Sequence, residues 1–126
     1  MITMERQLRE LKEFDARGAS VLTVYLPTDP LRHAREDVER MLDRLASSLA
    51  EGLGQASADA LRDDLNEVRD YLGSMIAPPG GIAVFTCTPR HFFRVVRLPS
   101  EVGPAAFWAP WAHVAMLVDV AMHAPA

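Results

Sequence analysis

The feature that most constrains the fold is Val21-Leu22-Thr23-Val24-Tyr25-Leu26-Pro27, a short run in which both alternating sets of side chains are largely apolar. In an extended chain Leu22, Val24 and Leu26 fall on one face and Val21, Thr23 and Tyr25 on the other. Such a segment is a strand that must be covered on both sides. Pro27 closes it, because proline brings no N–H to a further ladder bond. A central strand of this kind needs amphipathic neighbours, and the chain supplies them before and after it.

Before it, Met4, Leu8, Leu11 and Phe14 recur at helical spacing, with Thr3 placed to cap the start and Gly18 to stop the helix. After it, Pro27-Thr28-Asp29-Pro30 turns the chain. From Arg32 onward Ala34, Val38, Met41, Leu42, Leu45 and Leu49 form one apolar stripe, and Gly52-Leu53-Gly54-Gln55 ends it. Ser57 is then expected to cap a further helix with the stripe Leu61, Leu65, Val68, Leu72 and Met75. Two helices joined by so short a loop predict an antiparallel hairpin.

Pro78-Pro79-Gly80-Gly81 stops that hairpin. Ile82 to Cys87 and Phe92 to Leu98 read as two strands joined by the turn Thr88-Pro89-Arg90-His91, which makes a β-hairpin. A helical hairpin returns the chain to the end it left, so the strand from Ile82 should run antiparallel to the first. Phe107-Trp108 fits a fourth strand cut short by Pro110, and Trp111 to Met122 fits a strand or a helix. The expected class is α/β of the α+β type. An antiparallel sheet of about four strands packs with an N-terminal helix and the helical hairpin.

With 126 residues the chain is one domain, 1–126. A net charge of −4 argues against a generally nucleic-acid-binding surface, and no DNA partner is expected. Twelve arginines against one lysine, Lys12, leave room for a local anion site. The lone Cys87 rules out an intrachain disulfide and fits a reducing compartment. The longest apolar run, Val114 to Met122, is broken by Asp119 and is about half a membrane span, so the expected compartment is the cytoplasm.

No arrangement points to chemistry. His33, His91, His113 and His123 lie far apart, without the spacing that places two ligands on one helix face, and no metal or cofactor is expected. Cys87 lacks an activating neighbour in sequence and reads as a buried thiol. Asp63-Asp64 and Glu36-Asp37 read as solvated charge. Gly80-Gly81 follows a helix and precedes a strand, the reverse of a phosphate-binding motif, so it reads as a turn. No catalytic residues are expected. The cluster with most promise is Arg90, His91 and Arg94 around the second hairpin, with Arg97 on the opposite sheet face, together with Arg32, His33 and Arg35 after the first strand. These residues, Arg32, Arg35, Arg90, His91 and Arg94, form a candidate anion or RNA-backbone patch. Phe107, Trp108, Trp111, Met116 and Leu117 form a candidate interaction patch.

The order of these elements carries a resemblance. Phe14 to Pro27 (FDARGASVLTVYLP), Pro78 to Cys87 (PPGGIAVFTC), Phe92 to Pro99 (FFRVVRLP) and Trp111 to Leu117 (WAHVAML) together span nearly the whole chain. They resemble the N-terminal domain of the archaeal and eukaryotic class-one peptide-chain release factors, and more closely that of their bacterial relatives. In that family the domain reads stop codons with an Asn-Ile-Lys-Ser loop at the tip of the helical hairpin. Here the tip reads Gln55-Ala56-Ser57-Ala58-Asp59-Ala60. The family's Tyr-x-Cys-x-x-x-Phe motif belongs near the last strand, where this chain has Phe107-Trp108-Ala109-Pro110-Trp111. The Gly-Gly-Gln loop of peptidyl-tRNA hydrolysis belongs to a middle domain that these residues do not include. The resemblance therefore implies a non-catalytic module of a release-factor-like protein, with ribosome or RNA as partner. The tail would meet a following domain or a second copy of the chain. The alternative is an interaction or dimerisation domain unrelated to translation.

Overall fold

The computed structural model describes residues 4–123. Helix α1 (Met4–Glu13) precedes strand β1 (Val21–Pro27), and the helical hairpin is α2 (Arg35–Ala50) and α3 (Gln55–Ser74). Strands β2 (Gly81–Cys87) and β3 (Phe92–Leu98) follow, linked by one 3-10 turn over Thr88–Arg90; β4 (Ala105–Ala109) and α4 (Ala115–His123) complete the order. The four strands run β3-β2-β1-β4, every pair antiparallel. The expected α+β class, with an antiparallel sheet and a helical hairpin, is the class observed. The Thr3 cap lies outside the described residues. The undecided tail resolves into β4 and α4.

β1 is buried along its whole length, as its two apolar faces require. On one face Leu22, Val24 and Leu26 join Ile82 and Val84 beneath Val38, Leu42, Leu61, Leu65, Val68 and Leu72 of the hairpin. On the other, Val21 and Tyr25 pack with Ala83, Phe85 and Val96 against Leu11 of α1 and Leu117 of α4. A leucine buried this fully is worth about 2 kcal/mol against its exposed state, so both layers are needed to hold the sheet.

The second layer also carries a polar latch. The Tyr25 hydroxyl donates to the His113 carbonyl at 2.7 Å and accepts the Leu117 N–H at 3.3 Å. The Thr23 hydroxyl accepts the His113 N–H at 3.0 Å. Burial pushes the Tyr25 phenol up to about 12, so it stays a neutral donor across the physiological range. The tail is thus tied to the central strand by hydrogen bonds as well as by packing.

Two helix starts differ from expectation. α2 begins at Arg35, three residues later than the stripe predicts, because Asp29 organises a turn: its carbonyl accepts from Arg32 and His33. The Asp37 carboxylate then accepts the Ala34 N–H at 3.3 Å. α3 starts at Gln55 after an extended Gly54, so Ser57 lies inside the helix and not at its cap. The Pro78–Gly81 turn has a steric logic. A Cβ on Gly80 would fall on the Leu98 carbonyl oxygen, and one on Gly81 would sit 2.8 Å from the Leu26 carbonyl oxygen.

Candidate functional site

Residues Leu22 and Thr86 are paired near one end of the sheet, and Pro27 and Gly81 at the other. The first is the tip end, where the helical hairpin turns; the second is the base end. Strands of seven residues separate them by about 20 Å. The arginine cluster read as one patch is therefore two. Arg32 and Arg35 follow β1 at the base, whereas Arg90, His91 and Arg94 border the β2–β3 turn at the tip.

At the base the basic groups are engaged within the chain. Arg32 meets Glu101 at 2.5 Å, and the other oxygen of that carboxylate lies 2.8 Å from His33 Nε2. Arg35 donates to the Gly73 and Met75 carbonyls at 3.1 and 3.5 Å, satisfying the open C-terminal end of α3. At the tip, His91 is exposed and closes the 3-10 turn in the left-handed conformation, with φ of 51°. The half-buried Arg90 has an Nε without a hydrogen-bond partner among the described residues. Arg94 is exposed, lies over the Phe92 ring with its guanidinium carbon 4.8 Å from the centroid, and stands 3.8 Å from Glu10. Arg94 and Arg97 face opposite sides of β3, as strand alternation predicts.

The five residues of the apolar patch are also divided. Leu117 is fully buried, so it is core and not surface. Phe107 and Met116 pack on the same layer, where Phe107 stacks on His113 at 3.6 Å. Trp108 packs on the opposite, hairpin layer, because it neighbours Phe107 on one strand. Trp111, just past β4, is 60% exposed.

The fold unites two segments that are distant in sequence. A cleft of about 180 Å³ at the tip is lined by Gly18, Ala19, Ser20, Ala56, Ser57, Ala60, Pro89 and Trp108. It gathers Ala56, Ser57 and Ala60 of the hairpin tip and Trp108 of the last strand. Its walls are small and neutral apart from the indole. The charged pair beside it, Asp59 with Arg62, lies within one turn of α3.

Sequence reasoning passed over Asp64. It reads as solvated charge beside Asp63, yet it is fully buried. Its Oδ1 accepts the Thr88 N–H at 2.8 Å and a hydrogen bond from the Thr88 hydroxyl. The spacing could have shown this, since position 64 falls on the Leu61, Leu65, Val68 stripe. Burial pushes its carboxyl above the usual range, against the Thr88 bonds that lower it. Cys87 is fully buried as expected, and burial raises its thiol.

No protein-family model and no curated protein matches the sequence. Solved structures do. An archaeal translation termination factor, aRF1, superposes with a TM-score of 0.69 at 20% identity over 92% of this chain and 33% of its own. A structure described as an archaeal protein superposes with a TM-score of 0.65 at 20% identity, over 92% of this chain and 34% of its own. The chain spans about a third of the length of each. At that identity the likeness is one of fold, and the fold of these residues is release-factor-like.

Proposed function

We propose that the chain is a non-catalytic module of a bacterial release-factor-like protein, acting in the cytoplasm and docking on ribosomes or their RNA. The observation that carries this reading is the fold likeness to aRF1 across nearly the whole chain. In this reading the module does not read stop codons: the hairpin tip offers Gln55 to Ala60 without a lysine, and Trp108 stands where the last-strand motif would be. Contact with RNA then falls to backbone recognition. The tip end supplies the groups for it: Arg90, His91 and Arg94 border one turn, and Arg94 is held only by a long 3.8 Å contact with Glu10 and a bond to its neighbour's carbonyl, whereas Arg32 meets Glu101 at 2.5 Å and Arg35 closes the end of α3. Docking of this type releases counterions and weakens steeply with salt. Co-sedimentation of the purified protein with ribosomes at low and moderate salt tests it. Salt-sensitive binding lost in Arg90→Ala/Arg94→Ala is expected, and no binding at either salt would sink the role.

A second reading, an interaction or dimerisation module, draws on exposed apolar side chains. Leu31 and Ile76 are 93% and 87% exposed. They belong to the two segments that line a base-end cleft of about 310 Å³, formed among others by Pro30, Val38, Leu72 and Met75. Sedimentation equilibrium separates the readings. A monomer across the working concentration range removes the homodimer, and a dimer abolished by Leu31→Ser/Ile76→Ser favours it.

A further inference from the structure

The tip end holds a second cleft, on the hairpin side of the β2–β3 turn. Its volume is about 270 Å³, and its walls are Glu67, Thr86, Thr88, His91, Phe92 and Phe93. Thr86, in the wall, is fully buried and its Oγ1 has no hydrogen-bond partner among the described residues; the same is true of Oδ2 of the buried Asp64, whose Oδ1 is bonded by the wall residue Thr88. Buried polar groups are nearly always paired, so an unpartnered one in the cleft wall, with a second next to the wall residue Thr88, demands a reason.

Capping the 3-10 turn is not the reason. That task uses Asp64 Oδ1 alone, through the two bonds from Thr88. An asparagine would make the same bonds without burying a charge. The other carboxylate oxygen is surplus to the cap, and burial, with the neighbouring charges of Asp63 and Glu67, disfavours ionisation of Asp64. What the cleft lacks is a compact, positively charged donor. Arg90, two residues beyond Thr88, has its Nε without a partner and makes no hydrogen bond to Asp64 or Glu67 among the described residues. Among the described residues no group of three or more His, Cys, Asp or Glu is placed to hold a metal ion. The Phe93 ring, on the hairpin face of the sheet, supplies an apolar wall suited to an alkyl stem, and an aromatic face attracts an ammonium.

We propose that this cleft binds a primary alkylammonium group, with Thr86 Oγ1 and the Glu67 carboxylate accepting its N–H bonds. Two sources share that chemistry, a free polyamine and the lysine side chain of a protein partner.

The test is an NMR titration of the full chain, following the Thr86, Thr88 and Glu67 amides. The probes are putrescine, the methylamide of acetyl-lysine, and the same lysine derivative acetylated on its side-chain nitrogen. Saturable shifts with the amines and none with the acetylated probe are expected. Glu67→Gln, which is exposed and leaves the fold intact, and Thr86→Val should each weaken binding about tenfold. Tighter binding of putrescine identifies a polyamine as the ligand, and tighter binding of the lysine derivative identifies a protein side chain. Equal response to the acetylated probe, or shifts that survive Glu67→Gln unchanged, would overturn the proposal, as would no shift with any probe.

Discussion

The two ends of the sheet treat their polar groups in opposite ways. At the base, the Thr28 hydroxyl donates to the Pro78 carbonyl at 2.9 Å, Arg35 closes the end of α3, and Arg32 and His33 share Glu101. At the tip, Asp64, Thr86 and Arg90 each hold a buried polar atom without a partner among the described residues. The base is organised for stability, and its basic residues are part of that organisation. The tip keeps unmet hydrogen-bonding capacity, the usual mark of a surface shaped by what it meets. A cluster of arginines in sequence therefore says little until the structure shows which of them are already engaged.

The contrast is easiest to break at the base. Gly80→Ala places a methyl group against the Leu98 carbonyl and forces β2 and β3 apart, with an expected loss of about 3 kcal/mol. Urea unfolding measures it, and a loss below half of that would mean the turn yields more readily than its backbone contacts imply.

At the tip the expected sign reverses. Asp64→Asn keeps the acceptor for Thr88 and exchanges an unpartnered charged oxygen for a neutral amide. It should raise stability by about 1 kcal/mol near neutral pH. The carboxyl is held above its ordinary range in the folded chain. Its contribution to stability is thus fully present below the ordinary carboxylate range and is lost as pH rises through the raised native value. The gap between the wild-type chain and Asp64→Asn should be small in acid and open towards neutral pH. Unfolding midpoints across that range check it, and a gap of constant size or opposite sign would show that the tip carries no such penalty.

A smaller effect is expected from Arg35→Ala, which uncovers the Gly73 and Met75 carbonyls at a solvent-exposed helix end. About 0.5–1 kcal/mol should be lost, with hydrogen exchange accelerated in the last turn of α3 and unchanged at the tip. Acceleration at both ends would mean that they are not independent.

Much of the fold was legible because period and punctuation agree. Val21 to Pro27 is apolar on both faces and is covered on both, and the Leu61–Leu72 stripe lies against the sheet. The tail was less legible: Trp111 to Met122 is apolar at nearly every position, so periodicity could not separate strand from helix. The candidate sites were harder still. Arg32 and Arg94 look alike in sequence, and each meets a distant glutamate; only the structure shows that Arg32 is held at 2.5 Å and Arg94 at 3.8 Å. Asp64 is the opposite case. Its stripe position was readable, but its charge argued for solvent, and the contact that resolves the conflict comes from Thr88, on the far side of the helix end.

The measurement that bears most directly on ribosome docking through the tip is co-sedimentation with ribosomes at two salt concentrations, using one double variant from each end. Arg90→Ala/Arg94→Ala should lose binding and flatten its dependence on salt, while Arg32→Ala/Arg35→Ala should keep both. Equal loss from the two ends, or no association of the unmodified chain at low salt, would contradict a tip-directed role in translation.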